Sequence, residues 1–317
     1  MPAPFQATAR ESRASRISAS RLSWTRVASQ GFTALTFVFL VGMAGVFAWH
    51  SIPVWKEEGL AYLFGKRWFF RQHEFGALSM VYGTFAVSTI ALLLAAPLGI
   101  GAAIFTSEIL PPRWRLPVKG AVELLAGVPS VVYGLLGILF LRDWIYRGLG
   151  RLDLLSGDTL LTAGLLLGVM VLPTVMTLSD DALRGVNSAH RQAARGLGLT
   201  RAETIFSVVL AQSWRGILAA LLLGLGRALG ETIAVFLVVG RQDNQWPANL
   251  FSLRPLIESG QTLTTKLGGS ETNIAYGDPL HWAAMAGLGL FLLAIVTGVT
   301  WLGVRLARGR EAHAPGL

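Results

Sequence analysis

Six stretches of this chain are each apolar over roughly the 20 residues that a helix needs to cross the hydrocarbon core of a bilayer. They are Gly31–Pro53, Ala77–Phe105, Val118–Leu141, Leu160–Leu178, Ile205–Val239 and His281–Val304. In lipid a backbone amide finds no water, so each stretch must satisfy its own hydrogen bonds and is expected to be helical. The expected fold is an all-α membrane protein with about six transmembrane helices. The second and fifth stretches exceed a bilayer's thickness and must tilt, bend or project. Charge supports the same class: only 14% of the 317 residues are charged, against about 25% in soluble domains, too few to coat a water-facing surface.

The net charge of +9 raises nucleic acid as a partner, but in so apolar a chain it reads as the excess of Lys and Arg on cytoplasmic segments. Placing both termini on one side puts fifteen Lys and Arg residues there and ten on the other, so both termini are expected in the cytoplasm. No nucleic-acid partner is expected; membrane lipid is. The reading divides the chain into a basic cytoplasmic tail (1–30), a first span with an outer segment (31–76), a transmembrane core (77–304) interrupted by a polar cytoplasmic segment (179–204), and a second cytoplasmic tail (305–317). The first tail, with five arginines, reads as disordered chain near anionic lipid, and the first span, with no small-residue cleavage site after it, as retained. The aromatic segment Val54–Gly76 predicts a helix lying along the interface. Gly240–Leu280 is an outer loop long enough to suggest function or disorder.

Chemistry concentrates at three places. The fifth span holds GLGRALGETIAV, residues 224–235, where Arg227 and Glu231 stand four apart and so on one face of a helix. Each charge costs about 2.5–3.5 kcal/mol at the bilayer centre on insertion scales, so it needs a partner or an aqueous cavity. Two readings stay open: a structural ion pair, or a solute path in which arginine's planar fork attracts an oxyanion. The glycines are not a dinucleotide fingerprint, since no strand precedes them; Gly226 and Gly230 are spaced for close helix packing. The third span holds ELLAGVPSVVYGL, residues 123–135, where Pro129 is expected to break the helix. Glu123, Ser130 and Tyr133 lie beside that break and are candidates for the same path. Lastly, residues 179–204 predict a short helix, a turn at Gly198, and a second helix opened by a Thr200–Glu203 capping box.

QAARGLG, residues 192–198, followed by VVLA, residues 208–211, resembles the EAA motif of binding-protein-dependent ABC importer permeases. It departs at Gln192, where the family has Glu, and at Ala211, where it has Pro. The 123–135 and 224–235 stretches resemble permeases of phosphate-specific importers more specifically. The outer loop and GLAYLFGKRWF, residues 59–69, resemble the C-type rather than the A-type subunit. The resemblance covers roughly residues 31–304. It implies a type I importer permease in the bacterial inner membrane, a second homologous permease, two cassette ATPase subunits and a periplasmic phosphate-binding protein. It also implies that Gln192, Ala193, Ala194 and Gly198 couple the chain to an ATPase.

The chain has no P-loop: Gly65–Lys66 is followed by Arg67 and lacks the upstream glycine. ATP and Mg are therefore expected on the partner subunits, and no cofactor on this chain. Five scattered histidines and no cysteine offer no metal-ligand spacing or thiol nucleophile. The expected activity is transport of inorganic phosphate, not catalysis. A permease for sulfate, molybdate or phosphonate, an ion-coupled transporter and a membrane enzyme remain as rivals; the last two lack an internal repeat and a nucleophile–base pair.

Overall fold

The computed structural model describes residues 5–152, 154–247 and 253–308, with side chains given between residues 26 and 307. Helix α1 runs from Phe5 to Glu57, and two compact units, residues 1–49 and 50–317, divide within it. In the first unit the span's side chains, among them Phe32, Val38 and Phe39, are exposed, as a lipid-facing surface requires. The stretch read as a disordered tail is helical from Phe5 onward. Its arginines and alanines are good helix formers, and no Gly or Pro interrupts it before Gly31.

In the second unit, the segment after α1 corrects the expected interfacial helix. It forms α2 (Ala61–Phe64) and a two-stranded antiparallel hairpin, β1 (Trp68–Phe69) paired with β2 (Glu74–Phe75). Gly59, at φ +56°, turns the chain out of α1 in the left-handed region. The aromatic residues leave the interface because they have a core to enter: Tyr62, Trp68 and Phe75 are buried with Leu263, Ala284 and Leu288.

Next, α3 (Leu78–Ile104) continues through a π-helical turn at Phe105–Ile109. Helix α4 (Pro112–Ala126) is separated from α5 (Ser130–Leu136) by Gly127, Val128 and Pro129. A second π-turn, Gly137–Leu141, joins α5 to α6 (Arg142–Gly148). The chain bends by 82° between Ala126 and Ser130, the break that Pro129 foretold. Helix α7 (Leu160–Arg184) opens with the Thr159 hydroxyl accepting from the Thr162 amide at 3.0 Å. Beyond it, α8 (Ser188–Gly196) and α9 (Arg201–Glu203) lead through a π-turn into α10 (Leu210–Gly230) and α11 (Ile233–Val238). The outer loop folds into α12 (Leu263–Leu267) and α13 (Glu271–Ala275) before α14 (Pro279–Arg308). Among the described residues, five helices are long and apolar enough to cross a membrane, and the bent α4–α6 segment makes a sixth.

The membrane core is built on close approach. A Cβ at Gly164 or Gly168 of α7 would collide with Ile90 or Leu94 of α3, so these glycines set how near the two helices come. Around that seam Val87, Ala91, Leu167, Val171 and Val175 are buried, joined by Ala228 of α10 and Val235 and Val238 of α11. Gly226 does pack closely, against Thr300 of α14, but Gly230 has open space where its side chain would be and serves to end α10.

Where α3, α7 and α14 begin, a buried charged network fastens the outer loop to the hairpin. Lys266, 1% exposed, reaches the carboxylates of Asp243, at 2.7 Å, and of Glu271. Glu271 Oε1 also accepts from Trp68 Nε1 at 2.5 Å and from His281 Nε2 at 2.9 Å. The His281 ring stacks on Phe70 and Phe75.

Candidate functional site

The broken α4–α5 junction ends the regular hydrogen-bond ladder of α4: the Gly127 and Val128 amides close back on the Glu123, Leu124 and Leu125 carbonyls, and side chains from elsewhere add to them. Two sequence-selected residues reach this junction. Tyr133, half-buried on the first turn of α5, donates its hydroxyl to the Leu125 carbonyl at 2.9 Å. Arg227, near the end of α10, donates to the Ala126 carbonyl at 3.5 Å and to Thr174 Oγ1 at 3.0 Å. The guanidinium therefore bridges α10, α7 and the break in α4. Within the isolated chain Arg227 is exposed, so part of its fork faces open space.

Glu231 corrects the sequence reading. Four-residue spacing brings side chains together only within a continuous helix, and α10 stops at Gly230. Glu231 is extended (φ −72°, ψ 123°) and α11 starts afresh at Ile233. Its Oε1 accepts from the Ala234 amide at 3.2 Å, capping the new helix. Arg227 and Glu231 thus have separate partners, and no ion pair within 4.0 Å joins them. The breaks at 127–129 and 231–232 are neighbours: Gly134 of α5 lies so close to Ala234 and Leu237 of α11 that a Cβ would clash. Two broken helices thus pack together with an arginine at their junction.

Of the other candidates, Ser130 is half-buried and opens α5 after Pro129. Glu123 is exposed on α4, one turn before its end. Sequence reasoning missed Thr174, which positions Arg227; its only local signal is a threonine following Pro173 inside an apolar span.

The 179–204 segment folds as expected in outline. Asn187 caps α8 by accepting from the Ala189 amide at 2.9 Å. Gly198, at φ +84°, makes the turn, and Thr200 and Glu203 form a reciprocal capping box. Gln192, Ala193 and Gly198 are exposed, whereas Ala194 is 5% exposed. Of the four residues that the resemblance assigns to coupling, Ala194 is thus the one that falls on the face of a short amphipathic helix turned into this chain. The consequence is a clean pair of expectations. Ala194→Trp overpacks a buried position and is expected to reduce folded protein, while Ala193→Trp is expected to leave the thermal melting point of the purified chain unchanged.

Residues 95–311 match the family of binding-protein-dependent transport system inner membrane components. The chain is 34% identical to the phosphate transport system permease protein PstC of Mesorhizobium japonicum, over 86% of this chain and 85% of that one. It is 33% identical to the protein of the same name from Haemophilus influenzae, over 84% and 87% respectively. Among solved structures it resembles the MetNI methionine ABC transporter in inward-facing conformations, with a TM-score of 0.53 at 16% identity over 73% of this chain and 94% of that one. It also resembles a bacterial alginate ABC transporter, with a TM-score of 0.50 at 16% identity over 96% and 99%. With its multi-pass helical fold, its broken spans and a family match that takes in both Arg227 and the 179–204 segment, this chain belongs to the binding-protein-dependent transport system inner membrane components, the permease subunits of ABC importers.

Proposed function

We propose that this chain is the permease subunit through which an ATP-driven importer moves inorganic phosphate from periplasm to cytoplasm across the bacterial inner membrane. The observation that carries the reading is Arg227: a permanently charged fork, anchored at the junction of two broken spans and open on one side. An anion passing that point meets a charge-assisted donor without being enclosed, and conduction needs such weak binding. Glu231, at the second break, keeps the local charge from becoming a trap, and Ser130, Tyr133 and Glu123 line the same approach. A guanidinium receives any tetrahedral oxyanion, so the choice of phosphate over sulfate, molybdate or phosphonate rests on the names of the relatives.

In this reading both termini lie in the cytoplasm. A second homologous permease covers the open side of Arg227, and a periplasmic phosphate-binding protein delivers the solute. Two cassette ATPase subunits, which bind the ATP and Mg, dock on Gln192, Ala193 and the Gly198 turn, with Ala194 holding α8 from beneath. The test is reconstitution. The purified chain alone in proteoliposomes is expected to take up no phosphate, with or without ATP; uptake by the single chain would overturn the importer reading. In the assembled complex, Ala193→Trp is expected to abolish ATPase co-purification, and normal assembly would remove the 192–198 segment from the docking role.

A further inference from the structure

One side chain of the segment proposed to dock the ATPase holds the ends of two membrane helices. Arg191 of α8 donates through Nη1 to the Val186 carbonyl at 2.7 Å and through Nη2 to the Leu183 carbonyl at 2.8 Å. The same Nη2 reaches the Glu108 carboxylate at 2.8 Å. Leu183 lies in the last turn of α7, and Glu108 in the π-turn that ends α3. From the other arm of the segment Arg201 donates to the Glu108 backbone carbonyl. A planar fork is what lets one residue hold two helix ends at once; a lysine ammonium has no such geometry. The pair is largely withdrawn from water, with side-chain exposures of 19% for Arg191 and 10% for Glu108, so salt screens it less than a surface pair.

From this joint the packing is continuous to Arg227. Close by, Thr106 of the π-turn donates to Asp180 Oδ1 at 3.2 Å, a second link between the ends of α3 and α7, and Asp180 is itself held along α7 by Arg184 at 2.9 Å. Above them the glycines at 164 and 168 seat α7 directly on α3. Val175, more than two turns before the end of α7, belongs to that seam, and beside it stands Thr174, which holds Arg227. Interiors packed this closely transmit displacement instead of absorbing it.

Resting on the importer reading, we infer that the Arg191–Glu108 pair is the joint that passes movement of the 179–204 segment to the α3–α7 pair and so to Arg227. Both are positioning residues for transport, touching neither phosphate nor ATP. Because a mere staple would also bring these groups together, the readout must separate linkage from assembly.

The assembled importer in proteoliposomes provides it, with phosphate uptake and ATP hydrolysis measured on the same vesicles for Glu108→Gln, Arg191→Lys and the double variant. Phosphate moved per ATP is expected to fall about tenfold in each single variant, a size typical of residues that carry coupling. The double variant should be no worse than either single one, since both break the same link. A structural role alone would lower uptake and hydrolysis together and leave their ratio unchanged, and that result would overturn the inference. A second measurement needs only the purified chain. Spin labels at the exposed positions Leu93 on α3 and Leu197 beyond α8 should give one narrow distance distribution, broadened by Glu108→Gln; an equally narrow one in the variant would refute the joint. If the unmodified complex takes up no phosphate with ATP, the importer reading fails, whereas the label distances still decide the joint.

Discussion

Replacing Arg227 by Gln is expected to abolish most phosphate uptake while leaving the protein folded and inserted. The amide of Gln can still donate toward Thr174, and the exposed guanidinium's two bonds are to neutral acceptors at 3.0 and 3.5 Å, so the fold loses little. An anion, in contrast, loses a charged donor at the junction. A charge-assisted hydrogen bond contributes about 1.5–3 kcal/mol, so uptake should fall by about 10- to 100-fold. Arg227→Lys keeps the charge without the fork and should be intermediate. The structure sharpens a further comparison. Because Arg227 and Glu231 do not pair, exchanging both for leucine should not rescue either single loss, and the effects on stability should add. Thermal melting in detergent measured beside uptake separates these outcomes; a double variant that transports normally would show that the charges hold each other and do not serve the anion.

Replacing Lys266 by Met should produce the largest loss of stability at any position outside the spans. Lys266 is 1% exposed and neutralises two carboxylates, and breaking a buried pair by removing one partner typically costs about 3–5 kcal/mol. The native network already shows the balance of forces. Burial pushes the Asp243 carboxyl above its ordinary range, with Lys266 only partly offsetting it. Burial opposes ionisation of Glu271 as well, but the hydrogen bonds from Lys266, Trp68 and His281 outweigh it and hold that carboxyl below its ordinary range. A lowered carboxylate contributes stability above its unfolded pKa and loses it as pH falls through the folded value. In the native protein acidification should therefore weaken the Glu271 contribution. Without Lys266 the sign reverses: two neighbouring, partly buried carboxylates favour a proton, their folded values rise, and the variant should recover stability as pH falls toward the ordinary carboxylate range. Melting curves of both proteins across acidic pH test this, and a variant whose deficit is independent of pH would show that Asp243 and Glu271 separate once Lys266 is gone.

The parts of the molecule written into the sequence are those that depend on near neighbours. Apolar run length located the spans, Pro129 located the first break, and Gly198 with the Thr200–Glu203 box gave the turn between α8 and α9, because each rule acts within a few residues. The second break escaped. Nothing at Gly230–Glu231 forbids a helix as a proline does; α10 ends there because α11 packs against α5, and Glu231 then caps the new start. The interfacial helix expected over residues 54–76 failed for a related reason: its aromatic residues fit an interface and a core equally well, and only the arrival of α12 and α14 offered them the core. Arg227 was visible as a charge in an apolar run, yet its partners Thr174 and Ala126 stand on other spans; Lys266 finds Asp243 and Glu271 within its own loop, but Trp68 of the hairpin and His281 join them only in the folded chain. Sequence alone determined where the spans run and that a charge stands within one of them. Which groups meet that charge was decided by tertiary packing, since burial raises the energy of an unpaired group wherever its partner lies along the chain.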